Sequence, residues 1–170
     1  DISPNMPDAK GRTLLHHAIM NVGKGDSLGF FTVAATDPRT DLNARDNMGL
    51  TPLQYSIIHD CKEAFESLLA NPKVDKKIQD KRRRGLLHLA AEHNREDMVY
   101  PLMLAGIKLF EPDGEGKLPI ALTSSTSEEG AQTKAMLSQA VWHLRRLEMR
   151  RILALSTLLS VTCSTAMIGF

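Results

Sequence analysis

An all-α repeat solenoid, made of helix-turn-helix units with hairpin or turn loops and finished by one long C-terminal helix or two in tandem, is the fold class the sequence predicts. Three observations carry it. The turn-into-helix signal Asp46-Asn47-Met48-Gly49-Leu50-Thr51-Pro52-Leu53-Gln54 recurs as Asp8…Gly11, Asp80…Gly85 and Asp113…Gly116, with Asp-to-Asp separations of 38, 34 and 33 residues. A fixed spacing of this size is the mark of a repeat architecture. Each signal opens a short apolar helical segment that could not bury its own face, so neighbouring units must cover it.

The second unit is the clearest. Gly49 suits the backbone angles of a tight turn, Thr51 caps the helix that follows, and Pro52 fills its first position. Helix one runs from Pro52 to about His59, Asp60-Cys61 breaks it, and helix two covers Lys62 to about Ala70 before Asn71-Pro72 stops it. The first unit pairs Gly11–Met20 with Leu28–Ala35 across a longer polar turn. That turn holds Gly-Lys-Gly-Asp-Ser at 23–27 but lacks the spacing and the preceding strand of a phosphate loop. In the third unit Gly85–Ala91 and Met98–Met103 are the helices, with Pro101 expected to kink the second or confine its pairing. The fourth opens with Asp113–Leu122, followed by a polar loop over 123–130 and helix formers from Ala131 onward. The repeats fall at about 8–45, 46–79, 80–112 and 113–143, with 1–7 the remnant of a preceding unit and 144–170 a C-terminal helical segment.

Twenty-one basic residues against twenty acidic ones exclude a global electrostatic argument for nucleic acid. Two cysteines far apart, Cys61 and Cys163, form no framework and favour a reducing, intracellular setting.

These residues give the chain its likeness: it resembles an ankyrin-repeat protein over about 8–140. The family pattern Asp-x-x-Gly-x-Thr-Pro-Leu-His-x-Ala-Ala stands as Asp46 to Gln54 and, degraded, in the other units, and Asp41-Leu42-Asn43-Ala44-Arg45-Asp46 matches its lead-in. Departures are Arg83 in place of the turn glycine, and Gly85 and Leu118 in place of the capping Thr. A lost cap costs roughly 1 kcal/mol, so the third and fourth units are expected to be locally weaker than the second. The resemblance implies structural roles for Thr13, His16, Gly49, Thr51, Pro52, Leu53, His88, Gly116 and Pro119. It also implies protein binding through turn tips and inner helices, with no cofactor and no catalysis.

No catalytic or metal constellation competes with that reading. His88…Glu92-His93 is one residue off the inverted zinc-protease spacing, and its histidines, five apart, do not share a helical face. His59-Asp60-Cys61 holds triad residue types in adjacent positions, where side chains diverge.

The sharpest local feature is charge. Lys73, Lys76, Lys77, Lys81, Arg82, Arg83 and Arg84 face only Asp75 and Asp80 between positions 73 and 84. At a loop tip this makes a basic finger for an acidic protein surface. A solvated tip and a nuclear-import sequence are the other readings; the absence of nearby aromatics speaks against nucleic acid. The expected partner contacts are Arg12, Asn47, Met48, Tyr55, Lys81, Arg82, Arg83 and Arg84.

Behind Arg145, Arg146, Arg150 and Arg151 lies a run of nineteen uncharged residues, Ile152 to Phe170. It has the length and basic flank of a membrane span, while its many hydroxyls fit a capping or partner-buried helix. Function therefore reads as a protein-interaction module. The alternatives are the cytoplasmic array of a membrane protein, a channel or anchored adaptor, and a targeting domain of a larger enzyme or secreted bacterial effector.

Overall fold

A computed structural model describes residues 3–22, 27–123, 128–142 and 146. The expectations for the Gly-Lys-Gly-Asp turn at 23–26 and for the uncharged run at 152–170 lie outside the described residues. Every regular element described is helical: α1 Leu14–Met20, α2 Ser27–Thr36, α3 Pro52–Ile58, α4 Lys62–Ala70, α5 Leu86–Glu92, α6 Glu96–Leu104, a 3₁₀ turn at Pro119–Leu122, and a helix over 128–142, α7. α1, α3, α5 and the 3₁₀ turn lie side by side in chain order. α2, α4 and α6 pack each on the helix before it.

Helices α1 to α6 have 7 to 10 residues, fewer than a free helix needs in water, so packing holds them. Leu15, Ile19, Leu53, Ile57, Leu87 and Leu89 on the inner row, with Phe65, Leu68, Met98 and Leu102 behind them, are buried in one continuous core. Each such aliphatic side chain contributes about 2 kcal/mol when fully buried.

Local chemistry sets the helix ends. Thr51 Oγ1 accepts from the Gln54 amide and Pro52 occupies the first turn of α3. Asp60 and Asn94, at φ 58° and 54°, close α3 and α5 in the left-handed region. The next amide then reaches back five residues, Cys61 to the Ser56 carbonyl and Arg95 to that of Ala90.

Four local features differ from the sequence reading. The loops carry no strand among the described residues. α6 continues through Pro101, the sixth of its nine residues, and pairing resumes where the Ala105 amide donates to the Pro101 carbonyl; proline removes only its own donor. The fourth unit opens with a single 3₁₀ turn. The polar loop after it ends sooner than expected, because α7 already includes residues 128–130, where Glu128 and Glu129 favour a helix start and Gly130 is buried.

Candidate protein interface

Four aspartates build the four turns in the same way. Oδ1 of Asp8 accepts from the Lys10 and Arg12 amides, that of Asp46 from Met48 and Leu50, that of Asp80 from Arg82 and Arg84, and that of Asp113 from Glu115 and Lys117, all at 2.8 to 2.9 Å. Each loop is closed by one more bond, from the Asp amide to the carbonyl four residues on. The Asp113 carboxyl lies below the usual range because the Lys117 and Glu115 amides favour its charged form. The glycine position of the turn is left-handed in every unit: φ is 77° at Gly11, 80° at Gly49, 79° at Gly116 and 60° at Arg83. Arg83 thus adopts the backbone its neighbours give to glycine.

The tips are then tied to one another. The Asn47 amide donates to the Lys10 carbonyl at 2.9 Å, Lys81 to Met48 at 3.1 Å, and Gly114 to Arg82 at 2.8 Å. The three bonds, with the second and third tips each giving one amide and one carbonyl, the first a carbonyl and the fourth an amide, form a ladder that lines the four turns along one edge.

A second row of bonds runs through the helix starts. His16 Nδ1 accepts from the Thr13 amide at 3.1 Å and its Nε2 lies 3.2 Å from the Leu50 carbonyl. His88 repeats this with Gly85 and Lys117 at 3.2 and 3.3 Å. Gln54 does the same with Thr51 at 2.9 Å and Arg84 at 3.5 Å. With Nδ1 accepting, Nε2 carries the proton and donates, so both imidazoles are neutral; burial lowers their pKa and supports that state.

A third row sits at the far ends of the inner helices, where Cys61 Sγ lies 3.2 Å from the Ile19 carbonyl and Arg95 Nε donates to that of Ile57 at 3.2 Å. A fourth uses asparagine. Asn5 bonds the Arg39 carbonyl and the Asp41 amide, both at 2.7 Å, and Asn43 bonds the Lys73 carbonyl and the Asp75 amide at 2.9 and 2.8 Å. Lys77 stands one period later, and a cleft lined by Lys76, Lys77, Gln79, Ile107 and Lys108 opens beside it.

The residues singled out for partner contact fall into two groups. Arg12, Tyr55 and Arg84 are engaged internally. Arg12 grips Asp8 Oδ2 through Nε and Nη2 at 2.9 and 2.7 Å, holding that carboxyl well below its usual range, with His17 Nε2 at 2.9 Å on the same oxygen. Tyr55 is buried, its hydroxyl donating to Asp46 Oδ2 at 2.8 Å and its ring edge-on to His16. Burial, then the Asp46 carboxylate, push its phenol up. Arg84 holds Asp80 through Nε and Nη2 at 2.8 and 2.7 Å and reaches Glu92 with Nη1. Asn47, Met48, Lys81, Arg82 and Arg83 form the exposed group at the tips, although Asn47 Nδ2 also donates to the Ala9 carbonyl at 3.2 Å. Among the described residues, no carboxylate lies within ion-pair distance of Lys81, Arg82 or Arg83.

Of the residues named for structural roles, Thr13, His16, Thr51, Pro52, Leu53, His88 and Pro119 are buried, and Gly49 and Gly116 sit in the turns. Sequence reasoning missed Asn5 and Asn43, Cys61 and Arg95, Glu92, and Arg45, whose Nη2 donates to the Gln79 carbonyl at 2.5 Å. The signal for the first two pairs was their spacing, 38 and 34 residues, the same as the turns. No group of three His, Cys, Asp or Glu among the described residues could hold a metal ion. No described helix is long and apolar enough to cross a membrane.

No family model matches the chain. Rabankyrin-5 of Mus musculus is 29% identical over 95 residues, 56% of this chain and 8% of that protein. The Neurogenic locus notch homolog protein 1 of Homo sapiens, like that of Mus musculus, is 30% identical over 118 residues, 69% of this chain and 4% of that protein. The chain is similar to proteins that contain ankyrin repeats. It spans less than a tenth of the length of these relatives. The likeness to ankyrin-containing proteins is distant, and it agrees in kind with recurring turns and regular elements that are all helical among the described residues.

Proposed function

We propose that the chain is an ankyrin-type repeat array acting as a protein-interaction module, and that it holds an acidic segment of a partner along the edge formed by the stacked turn tips. Binding is its work, with no chemistry of its own. One observation carries the reading: Lys81, Arg82 and Arg83 are consecutive, exposed and, among the described residues, without a carboxylate partner. The flanking Arg12 and Arg84 are each neutralised within their own unit. Asn47 and Met48 extend the same edge toward the first tip, and the backbone ladder beneath keeps the tips from splaying. A rigid platform lowers the entropy cost of binding, and unpaired cations speed the approach of an acidic partner. Tyr55 acts from behind, positioning Asp46 and through it the second tip.

The test uses labelled twelve-residue peptides, one rich in Asp and Glu, one neutral and one basic, with fluorescence anisotropy as readout. Only the acidic peptide should bind. The triple change Lys81→Glu, Arg82→Glu and Arg83→Glu should weaken it about tenfold or more, and 0.5 M salt should do the same. Unchanged affinity in the triple variant removes the proposal, and tighter binding of an oligonucleotide of equal charge replaces it with a nucleic-acid site.

A further inference from the structure

The first unit presents core positions to solvent on the side away from the second unit. Leu14, the residue after the cap of α1, is 40% exposed; its counterparts Pro52 and Pro119 are buried and Leu86 is 2% exposed. On the outer helices Phe30 is 47% exposed, whereas its counterparts Ala64 and Met98 are 0% and 1%. α2 carries no charge at all, unlike α4 with Lys62, Glu63 and Glu66, or α6 with Glu96 and Asp97. The backbone has the same open end. Asn47, Lys81 and Gly114 each donate to the tip before them, while the equivalent amide, Ala9, meets no acceptor among the described residues.

The chain also enters this unit along the track by which it enters the next. The Met6 amide donates to the Ser3 carbonyl as that of Ala44 does to Asp41, and the Asn5 amide donates to Ser3 Oγ as that of Asn43 does to Asp41 Oδ1. Asn5 makes the same pair of bonds to the following unit as Asn43. Ser3–Pro7 is therefore built like the segment that leaves α2 for Asp46. The other end of the molecule is closed: α7 lays Gly130, Thr133, Leu137 and Ala140 inward, three or four residues apart, and the Gln132 side chain lies beside the Glu96 carboxylate.

We propose that the face formed by Leu14, Phe30 and the Ala9 amide is an interface for a further two-helix unit of the same build, joined through Ser3 in the same polypeptide. That occupant supplies an apolar layer for Leu14 and Phe30 and, from its own turn tip, a carbonyl for Ala9. At the other described end α7 already buries Gly130, Thr133, Leu137 and Ala140 against the array, which argues against a second copy stacked head to tail. This face meets the tip edge only at Ala9, away from Lys81, Arg82 and Arg83, and it stands or falls independently of the acidic ligand.

The probe is this chain's own second unit. Residues 46–74 are placed ahead of Ser3, so that the join repeats the passage from Val74 to Asp75. In the extended protein, hydrogen exchange of the α1 and α2 amides should slow about tenfold or more. The double change Leu14→Asp and Phe30→Asp should leave the melting temperature of the 170-residue chain within about 2 °C, because both side chains are already in water, and lower that of the extended protein by about 5 °C or more. An extended protein that melts no later than the 170-residue chain, unchanged exchange in α1 and α2, or an equal effect of the double change in both proteins overturns the proposal. A dimer of the 170-residue chain by light scattering that Phe30→Asp converts to monomer also overturns it, by making a second copy the occupant.

Discussion

His16 of the first unit is bound to Leu50 of the second: its Nε2 lies 3.2 Å from the Leu50 carbonyl while its Nδ1 receives the Thr13 amide. The imidazole does this only when neutral, because protonating Nδ1 turns an acceptor into a donor facing another donor. Burial lowers the pKa of His16, and of His88 in the same role, below their unfolded value. The unfolded chain therefore binds these protons more readily, and their contribution to stability is complete above about pH 6.5 and lost as pH falls below it. Thermal melts should be flat from pH 7 to 8 and drop from pH 6.5 to 5. Gln54 fills the same position with an amide, so His16→Gln and His88→Gln should each flatten that slope while the melting temperature at pH 7.5 holds.

Arg83 is left-handed where the other turns have glycine. A side chain there costs about 1 kcal/mol. Arg83→Gly should raise stability to urea by about that amount while weakening the acidic peptide, and Arg83→Lys should restore binding without the gain in stability. An Arg83→Gly variant with no gain in stability would show that the turn is unstrained.

Asp46 holds two amides with one carboxylate oxygen and the Tyr55 hydroxyl with the other. Asp46→Ala strips three donors at once and should cost about 2–3 kcal/mol in chemical denaturation. Asp46→Asn keeps an acceptor for the amides and should cost less than half as much, whereas Tyr55→Phe should lose only about 1 kcal/mol.

Local stability should fall from the second unit toward the fourth. Gly85 leaves α5 without a hydroxyl cap, Lys77 replaces the bridging asparagine, and the fourth unit opens on a 3₁₀ turn. Hydrogen exchange should be slowest in α3 and α4 and fastest over 113–122. At Gly85 an added Cβ meets nothing closer than His88 Nδ1 at 3.9 Å, and the backbone is extended, as a cap requires. Gly85→Thr should therefore stabilise by about 0.5–1 kcal/mol and slow exchange in α5 before α3.

The sequence alone determined where the turns and most helices lie, because the causes are local. Asp at the turn, glycine or its substitute three residues on, and a capping Thr with Pro after it act within a few bonds of their own backbone. α4 begins and ends where Lys62 and Asn71-Pro72 place it, and the basic run at 73–84 is visible as charge. What the tertiary structure alone decided is which of those residues face water. Tyr55 and Arg84 read as free contact residues until folding set Tyr55 against Asp46, nine residues earlier, and Arg84 between Asp80 and Glu92. Glu128, Glu129 and Gly130 read as loop yet belong to α7, because the inward row Gly130, Thr133, Leu137 and Ala140 holds that helix where local propensity is poor. The staples at Asn43, Cys61 and Arg95 reach carbonyls 30, 42 and 38 residues away. Pairing over such distances depends on how one unit stacks on the next, and only the assembled core brings those partners within bonding range.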